Sequence, residues 1–267
     1  MLFKQLFDKA SSTYTYLIAS AKGREALIID PVLENVENYI MIFRQLFDKT
    51  SSTYTYLIAS KKGREALIID PVLENVENYI KLLDELNLKL VKVIDTHIHA
   101  DHITGASKLK DQTKCITIMG DHTPADAVEI KVKDEEIIKL DQLKIKALHT
   151  PGHTSDSFSF LMNDYLFSGD TLLINGTGRT DFQNGSAKDA YNSIFNKLLK
   201  LPEETLVYPA HDYNGKKFSS IGSEKKFNPR LQVNNEKEYV KIMNDLNLPK
   251  PKLIDINIAS NIKLGAI

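Results

Sequence analysis

A single cysteine, Cys115, stands among 267 residues, which excludes an intrachain disulfide and any thiolate metal cluster. It lies in the strand-like run Cys115-Ile116-Thr117-Ile118-Met119, where a small buried hydrophobe is the ordinary use of the residue. Charge of one sign is missing too. The 34 basic and 35 acidic residues leave a net charge of -1, so nothing draws the whole chain to nucleic acid or to an anionic membrane. The short pairs Lys216-Lys217 and Lys225-Lys226 read as solvated faces. No apolar run approaches the ~20 residues that a membrane span needs. The N-terminal residues carry neither a secretory apolar core nor an Arg/Ser-rich transit pattern, and the cytoplasm is the compartment this implies. Neither a nucleic acid nor a membrane is expected as a partner. No Pro/Gly/Ser-rich linker interrupts residues 41–267, so that stretch reads as one domain. With 42% hydrophobic and 26% charged residues, the composition is that of an ordinary globular protein.

The chain opens on a repeat. Residues 1–40 and 41–80 differ only at Leu2/Ile42, Lys4/Arg44, Ala10/Thr50 and Ala21/Lys61. Two copies followed by unrelated sequence do not make a solenoid. Each copy reads as a strand (Ser52 to Ser60 in the second), a Lys-Gly turn and a second strand (Ala66 to Ile69). Asp70-Pro71 then opens a helix, Asp70 serving as its N-cap. In the second copy the helix continues through Leu73, Val76, Tyr79, Ile80, Leu83 and Leu86, a stripe that needs a sheet to cover it, and leads into the next strand. In the first copy it stops at Ile40. Residues 1–40 are therefore expected to be a surplus duplicate, and residues 41–80 to fill the native place in the 41–267 domain. The surplus segment either packs outside its own domain or swaps into a neighbouring chain, making a homodimer.

Three imidazoles and a carboxylate crowd into Thr96-His97-Ile98-His99-Ala100-Asp101-His102. Histidine is the commonest side-chain metal ligand near neutral pH, and such crowding makes sense around a cation. Leu90 to Asp95 before it reads as a strand and Thr104 to Lys110 after it as a helix start, placing the histidines on a strand-to-helix loop where α/β folds keep their chemistry. Further on, Ile137 to Leu140 and Leu143 to Leu148 read as a hairpin around Asp141-Gln142. Ser157 to Met162 and Tyr165 to Phe167 form another around Asn163-Asp164. Ala187 to Leu201 reads as a helix stopped by Pro202, Thr205 to Tyr208 as a strand and Asn228 to Leu246 as mostly helix. Hairpins mixed with helices argue for a layered α/β (α+β) fold. Three polar clusters each follow a strand: His149-Thr150-Pro151-Gly152-His153-Thr154, Ser168-Gly169-Asp170 and Pro209-Ala210-His211-Asp212-Tyr213. Strand ends on one edge of a sheet converge in space, and the glycines and prolines supply the turns that aim side chains there.

THIHADH, TPGHT, SGD and the late His211 resemble the metallo-β-lactamase superfamily over Met41 to about Gly265, which implies an αββα sandwich with metal at one end of its two sheets. HIHADHITG (97–105), GDTLLINGTGRTDFQNG (169–185), YPAHDYNG (208–215) and NPRL (228–231) are similar to the persulfide dioxygenases, or sulfur dioxygenases. That resemblance implies a non-haem enzyme with one Fe(2+) per chain that oxidises glutathione persulfide with O₂ to sulfite and glutathione. Carried over motif by motif, it makes His97, His153 and Asp170 the metal ligands and catalytic set, a 2-His-1-carboxylate arrangement that leaves open positions on one face of the metal. His99, Asp101, His102 and His211 become either ligand-orienting groups or a second metal's ligands. Arg179 either attracts the anionic substrate or braces its loop through an ion pair with Asp181 or Asp212, and Tyr213 is a hydrogen-bond donor to the glutathione moiety. His149 is read as bracing a loop and His122 as solvent-exposed. Two other readings stay open: a glyoxalase-II-like thioester hydrolase with two metals, and a metal or redox sensor without catalysis. Against the hydrolase stand Gly-Arg-Thr-Asp-Phe-Gln and Ala-His-Asp-Tyr in place of that group's typical runs.

Overall fold

The computed structural model describes residues 2–8, 11–19, 26–30, 41–60, 65–250 and 253–266. The first copy contributes β1 (Leu2–Asp8), β2 (Thr13–Ala19) and β3 (Ala26–Ile29), which form a sheet of their own. The second copy contributes β4 (Ile42–Asp48), β5 (Thr53–Ala59) and β6 (Glu65–Ile69) to a six-stranded sheet, β4-β5-β6-β7-β8-β9. That sheet is completed by β7 (Lys89–Ile94), β8 (Ile116–Gly120) and β9 (Ile130–Val132). The two copies have the same internal register: Leu2 pairs Ala19 as Ile42 pairs Ala59, and Tyr16 pairs Ile29 as Tyr56 pairs Ile69. The leading strand of each copy was not foreseen in the sequence. Its half-buried pattern, seen in β4, leaves a weaker signal than the β-branched and aromatic run of β5.

The second sheet has the order β10-β11-β12-β13-β16-β17. Its strands are β10 (Ile137–Leu140), β11 (Leu143–His149), β12 (Phe158–Met162), β13 (Tyr165–Gly169), β16 (Leu206–Pro209) and β17 (Ser219–Ser220). A small hairpin, β14 (Leu172–Leu173) with β15 (Gly176–Thr177), lies between them in sequence. Both expected hairpins are present. Leu140 pairs Leu143 and Met162 pairs Tyr165, with Asp141 and Asn163 opening the two-residue turns at φ 51°.

Helices α1 (Val76–Glu85) and α2 (Ala106–Thr113) cover the first sheet. Covering the second are α3 (Ala187–Tyr191), α4 (Ile221–Phe227) and α5 (Glu236–Asn244), and the chain ends in α6 (Ile254–Asn261). The packing follows the strand period of two. Tyr56, Ile58, Leu67, Ile69, Ile94 and Ile118 of the first sheet meet Ile145, Phe158, Phe160, Phe167 and Tyr208 of the second. The alternate residues Leu57, Ile68 and Val93 meet Val76, Tyr79, Leu83 and Leu109 of the helices, and Leu90 joins them across a register shift in the β6–β7 pairing. A third cluster seats Ile194, Leu198 and Tyr239 on the outer face of the second sheet. The result is a four-layered αββα sandwich. Every residue of β5 is buried, its two threonines included. Each such Leu, Ile or Phe contributes roughly 1.5–3 kcal/mol.

Three expectations are corrected. Asp70 caps no helix: at φ 51° it turns back toward β7, and helical structure starts at Leu73 without a side-chain cap. The Ala187 to Leu201 stripe is not one regular helix, since a π-helical stretch over Asn192–Lys197 and a 3-10 turn over Leu198–Lys200 follow α3. Asn228 to Leu246 divides into a 3-10 turn, Pro229–Leu231, and α5, with Asn228 and Asn235 each accepting from a backbone N–H at the start. The Lys-Gly turns and the first copy's helix lie outside the described residues.

Candidate metal centre

Strands β6, β7, β11, β13 and β16 all deliver polar loops to one end of the sandwich, and the backbone there ties the two sheets together. Tyr54 N donates to Ala210 O at 2.7 Å, and Thr53 bridges His211. The loop after β7 carries His97, His99 and His102, all buried. Each has one ring nitrogen engaged: His97 Nδ1 with Thr96 Oγ1 at 2.9 Å, His99 Nε2 with Asp70 Oδ1 at 3.1 Å, and His102 Nδ1 with Asp101 Oδ2 at 2.8 Å. The opposite nitrogens, His97 Nε2, His99 Nδ1 and His102 Nε2, are buried without a hydrogen-bond partner among the described residues. Leaving one buried polar atom unpaired costs about 1–3 kcal/mol. Three in one loop make sense as ring positions kept for a cation.

The tautomers follow from the partners. Thr96 Oγ1 donates to Asp70 Oδ2 at 3.0 Å, so it accepts from His97 Nδ1–H and leaves the lone pair on Nε2. His153 Nδ1 donates to the carbonyl of Arg179 at 2.8 Å, so in the neutral ring the lone pair is on Nε2. Outer acceptors of this kind orient histidine ligands and raise their basicity. His97, His153 and Asp170 each bring a ligand atom within 4.8 Å of the others, and so do His99, Asp101 and His102. His153 Nε2 is 3.6 Å from Asp170 Oδ2. The sequence placed these motifs on separate loops, and the fold brings all of them together.

His211 sits between two carboxylates, Nδ1 at 2.7 Å from Asp170 Oδ1 and Nε2 at 2.9 Å from Asp101 Oδ2. Burial opposes its charge, but Asp170 and then Asp101 outweigh burial and hold its pKa well above the ordinary range. Asp170 is pushed the other way: burial would raise its pKa, and His211, His153 and His97 bring it below the usual carboxylate range. Burial, then His99 and His153, keep His97 neutral, the ligating form.

Gly178 shows how tightly the cradle is built. A Cβ there would lie 2.1 Å from Asp170 O and 2.9 Å from His153 Nδ1. Gly178→Ala is therefore expected to push the His153 ring aside and weaken metal binding by about tenfold or more. Equilibrium dialysis against the metal measures this, and unchanged affinity would show that the loop yields instead.

Of the remaining sequence candidates, Arg179 donates to Asp181 at 2.6 and 2.7 Å, to Pro249 O at 2.7 Å and to Leu248 O at 3.2 Å, and its guanidinium lies over the Phe182 ring. These are the partners of a loop brace, including Asp181 but not Asp212. Asp212 instead accepts from Asn214 N and Lys216 N. Tyr213 is largely exposed, its ring parallel to His211 with centroids 6.2 Å apart. His149 meets Ser155 O and stacks on the half-exposed His122 at 3.9 Å. The sequence did not disclose the site roles of four residues: Asp70, read there as a helix cap, Thr96, Thr53 (Oγ1 3.1 Å from both Asp101 Oδ2 and His211 Nε2) and Asp156, whose Oδ2 holds Ile98 N at 2.9 Å. Only Thr96 stands in the motif it serves, next to His97; Asp156 follows Thr154 by two residues but holds the loop of the first motif, 58 residues away.

The pattern of the metallo-beta-lactamase superfamily matches residues 48–211. The human persulfide dioxygenase ETHE1, a mitochondrial protein by its description, is 42% identical over 268 residues, covering 99% of this chain and 89% of the relative. A hydroxyacylglutathione hydrolase from Dictyostelium discoideum is 36% identical over 135 residues, about half of each chain. Among solved structures, ETHE1 from Myxococcus xanthus matches with a TM-score of 0.83 and 47% identity, covering 85% of this chain and all of that one.

Proposed function

The chain belongs to the persulfide dioxygenase family of the metallo-β-lactamase superfamily, and from that premise we propose that it oxidises the terminal sulfur of glutathione persulfide with O₂, giving sulfite and glutathione, at a single Fe(II). It is an enzyme, a persulfide dioxygenase. The observation that carries the single-metal reading is how Asp170 is divided. Its Oδ2 faces His153, completing the set with His97, while its Oδ1 is held by His211, which also holds Asp101. Two neutral imidazoles and one carboxylate fit a divalent iron, and when bound it would supply a redox centre with adjacent open positions for sulfur and O₂. The protein's part is to hold His97 and His153 in their ligating tautomers and to keep Asp170 ionised. The His97, His99 and His102 rings form the buried floor. Tyr213 at the exposed rim offers a phenol to the glutathione moiety, and Arg179 braces the 179–182 turn beside it.

One observation favours a second reading. His99 Nδ1 and His102 Nε2 are also unpartnered, and with Asp101 they form a second donor trio, as a two-metal thioester hydrolase would need. Metal analysis combined with turnover separates the readings. The expected result is about one iron per chain, O₂ uptake with glutathione persulfide and little hydrolysis of S-lactoylglutathione. Two metals with thioester hydrolysis and no O₂ uptake would reverse the assignment, and stoichiometric metal with no turnover would leave a sensor. Among the described residues no helix is long and apolar enough to cross a membrane. The proposed compartment is the cytoplasm, whereas the human relative is described as mitochondrial; fractionation of the source cells distinguishes them.

The same reading divides the chain into a surplus 1–40 and a catalytic 41–267. In support, Tyr14, Leu27 and Ile29 are 48%, 57% and 38% exposed, whereas their counterparts Tyr54, Leu67 and Ile69 are 5%, 0% and 0% exposed. Deleting residues 1–40 is expected to preserve metal binding and activity and to abolish any exchanged homodimer in size-exclusion chromatography. A truncated chain that fails to fold would put the first copy in the core.

A further inference from the structure

Between His97 and His102 the ligand loop has no regular secondary structure, yet its backbone carbonyls are held one after another by side-chain amides. Ile98 O accepts from Gln183 Nε2 at 2.7 Å, and Ala100 O from Asn257 Nδ2 at 2.9 Å. His99 O and His102 O both accept from Asn261 Nδ2 at 2.8 Å. Asn261 Oδ1 in turn accepts from Thr104 N at 2.9 Å, just before α2. Asn257 and Asn261 are one turn apart on α6, so they present the same face, and both are buried.

We infer that Asn261, seconded by Asn257, is a positioning residue that sets the backbone of the metal-ligand loop from the C-terminal helix. The choice of side chain is specific. An amide offers two donor hydrogens and an acceptor oxygen, and Asn261 makes two donor contacts and one acceptor contact with one loop; a carboxylate would turn two attractive contacts with carbonyls into repulsive ones. Fixing His99 O and His102 O sets the direction of the peptide planes between them, and hence where the neighbouring imidazoles point. A metal site tolerates only small errors in that direction.

This inference rests on a metal held by His97, His153 and Asp170, and it is tested on the full-length iron-loaded protein by anaerobic release to a chelator and by the ligand-field spectrum of the Co(II) form. Asn261→Leu is expected to release iron about tenfold faster than the unmodified protein, to shift the Co(II) bands, and to lower kcat with KM unchanged. The control is Ile258→Ala, which trims the apolar packing of the same helix and leaves both amides in place; it is expected to lose thermal stability but to release iron at the unmodified rate. Equal release from Asn261→Leu and the unmodified protein, or equally fast release from Ile258→Ala and Asn261→Leu, overturns the inference. If Asn261→Leu does not fold, Asn257→Ala, with one hydrogen bond removed, decides by the same readouts, faster release supporting the role and unchanged release refuting it. Failure of the underlying metal reading looks different, because the unmodified protein would then retain no iron.

Discussion

Replacing His153 with alanine is expected to strip the centre of iron and bring O₂ uptake with glutathione persulfide to background. His153 is one of three protein donors in the proposed site, and its Nδ1–H to the Arg179 carbonyl leaves Nε2 no other use among the described residues than to face Asp170 Oδ2 at 3.6 Å. Losing a ligand outright exceeds the roughly 10- to 100-fold cost of losing an outer partner of a ligand. The fold should survive, because His153 lies on a loop at the mouth of the sandwich and takes no part in the packing between the sheets. The companion variant His149→Ala, four residues earlier at the end of β11, removes a ring stacked on His122 and is expected to keep iron and turnover. Metal analysis and an oxygen electrode measure both. A His153→Ala protein with stoichiometric iron and normal turnover would remove His153 from the site.

What the sequence disclosed and what it hid divide along contact distance. Six of the seven metal-motif groups stand in short runs with turn residues beside them, so THIHADH, TPGHT and SGD announce themselves, and His211 follows a strand as they do. The two hairpins were legible because alternation breaks at Asp141 and Asn163, which need left-handed φ. The groups that orient the ligands carry no such local mark. Asp70 reaches Thr96 across 26 residues, and Asn261 reaches His99 across 162; in one dimension the first looks like a helix cap and the second belongs to no motif. Asp-Pro before an apolar stripe fits the capping pattern, but capping needs extended backbone at the cap, and Asp70 is left-handed. The π-helical stretch after α3 was hidden for a related reason, since a stripe of apolar residues reports which face is buried and not which hydrogen-bond ladder holds it.

Asp70 is also where a change of one atom should have the largest consequence for the metal. Its Oδ1 accepts from Thr96 N at 2.7 Å and from His99 Nε2 at 3.1 Å, while Oδ2 accepts the Thr96 hydroxyl proton at 3.0 Å. The last bond forces Thr96 Oγ1 to accept from His97 Nδ1–H, which frees His97 Nε2 for the metal. In Asp70→Asn the amide oxygen can keep the first two contacts, and the side chain still suits φ 51° because asparagine tolerates the left-handed region. The amide nitrogen, however, would donate to Thr96 Oγ1. With its former acceptor gone, the hydroxyl proton is expected to turn toward His97 Nδ1, and the ring to answer by moving its own proton to Nε2, where it blocks ligation. Asp70→Asn is therefore expected to unfold near the midpoint of the metal-free parent in urea, yet to bind iron so weakly that it purifies nearly empty. Asp70→Ala loses all three hydrogen bonds, leaves the Thr96 and His99 donors buried and unpaired, and puts a residue without a polar side chain at positive φ. At about 1–3 kcal/mol for each stranded group, plus roughly 1 kcal/mol for the backbone, the loss is about 4 kcal/mol or more, a large share of the stability of a typical domain. Urea unfolding separates the two variants, and metal analysis reads the first. An Asp70→Asn protein that loads iron as fully as its parent would break the proposed relay from Asp70 through Thr96 to His97, whatever its stability.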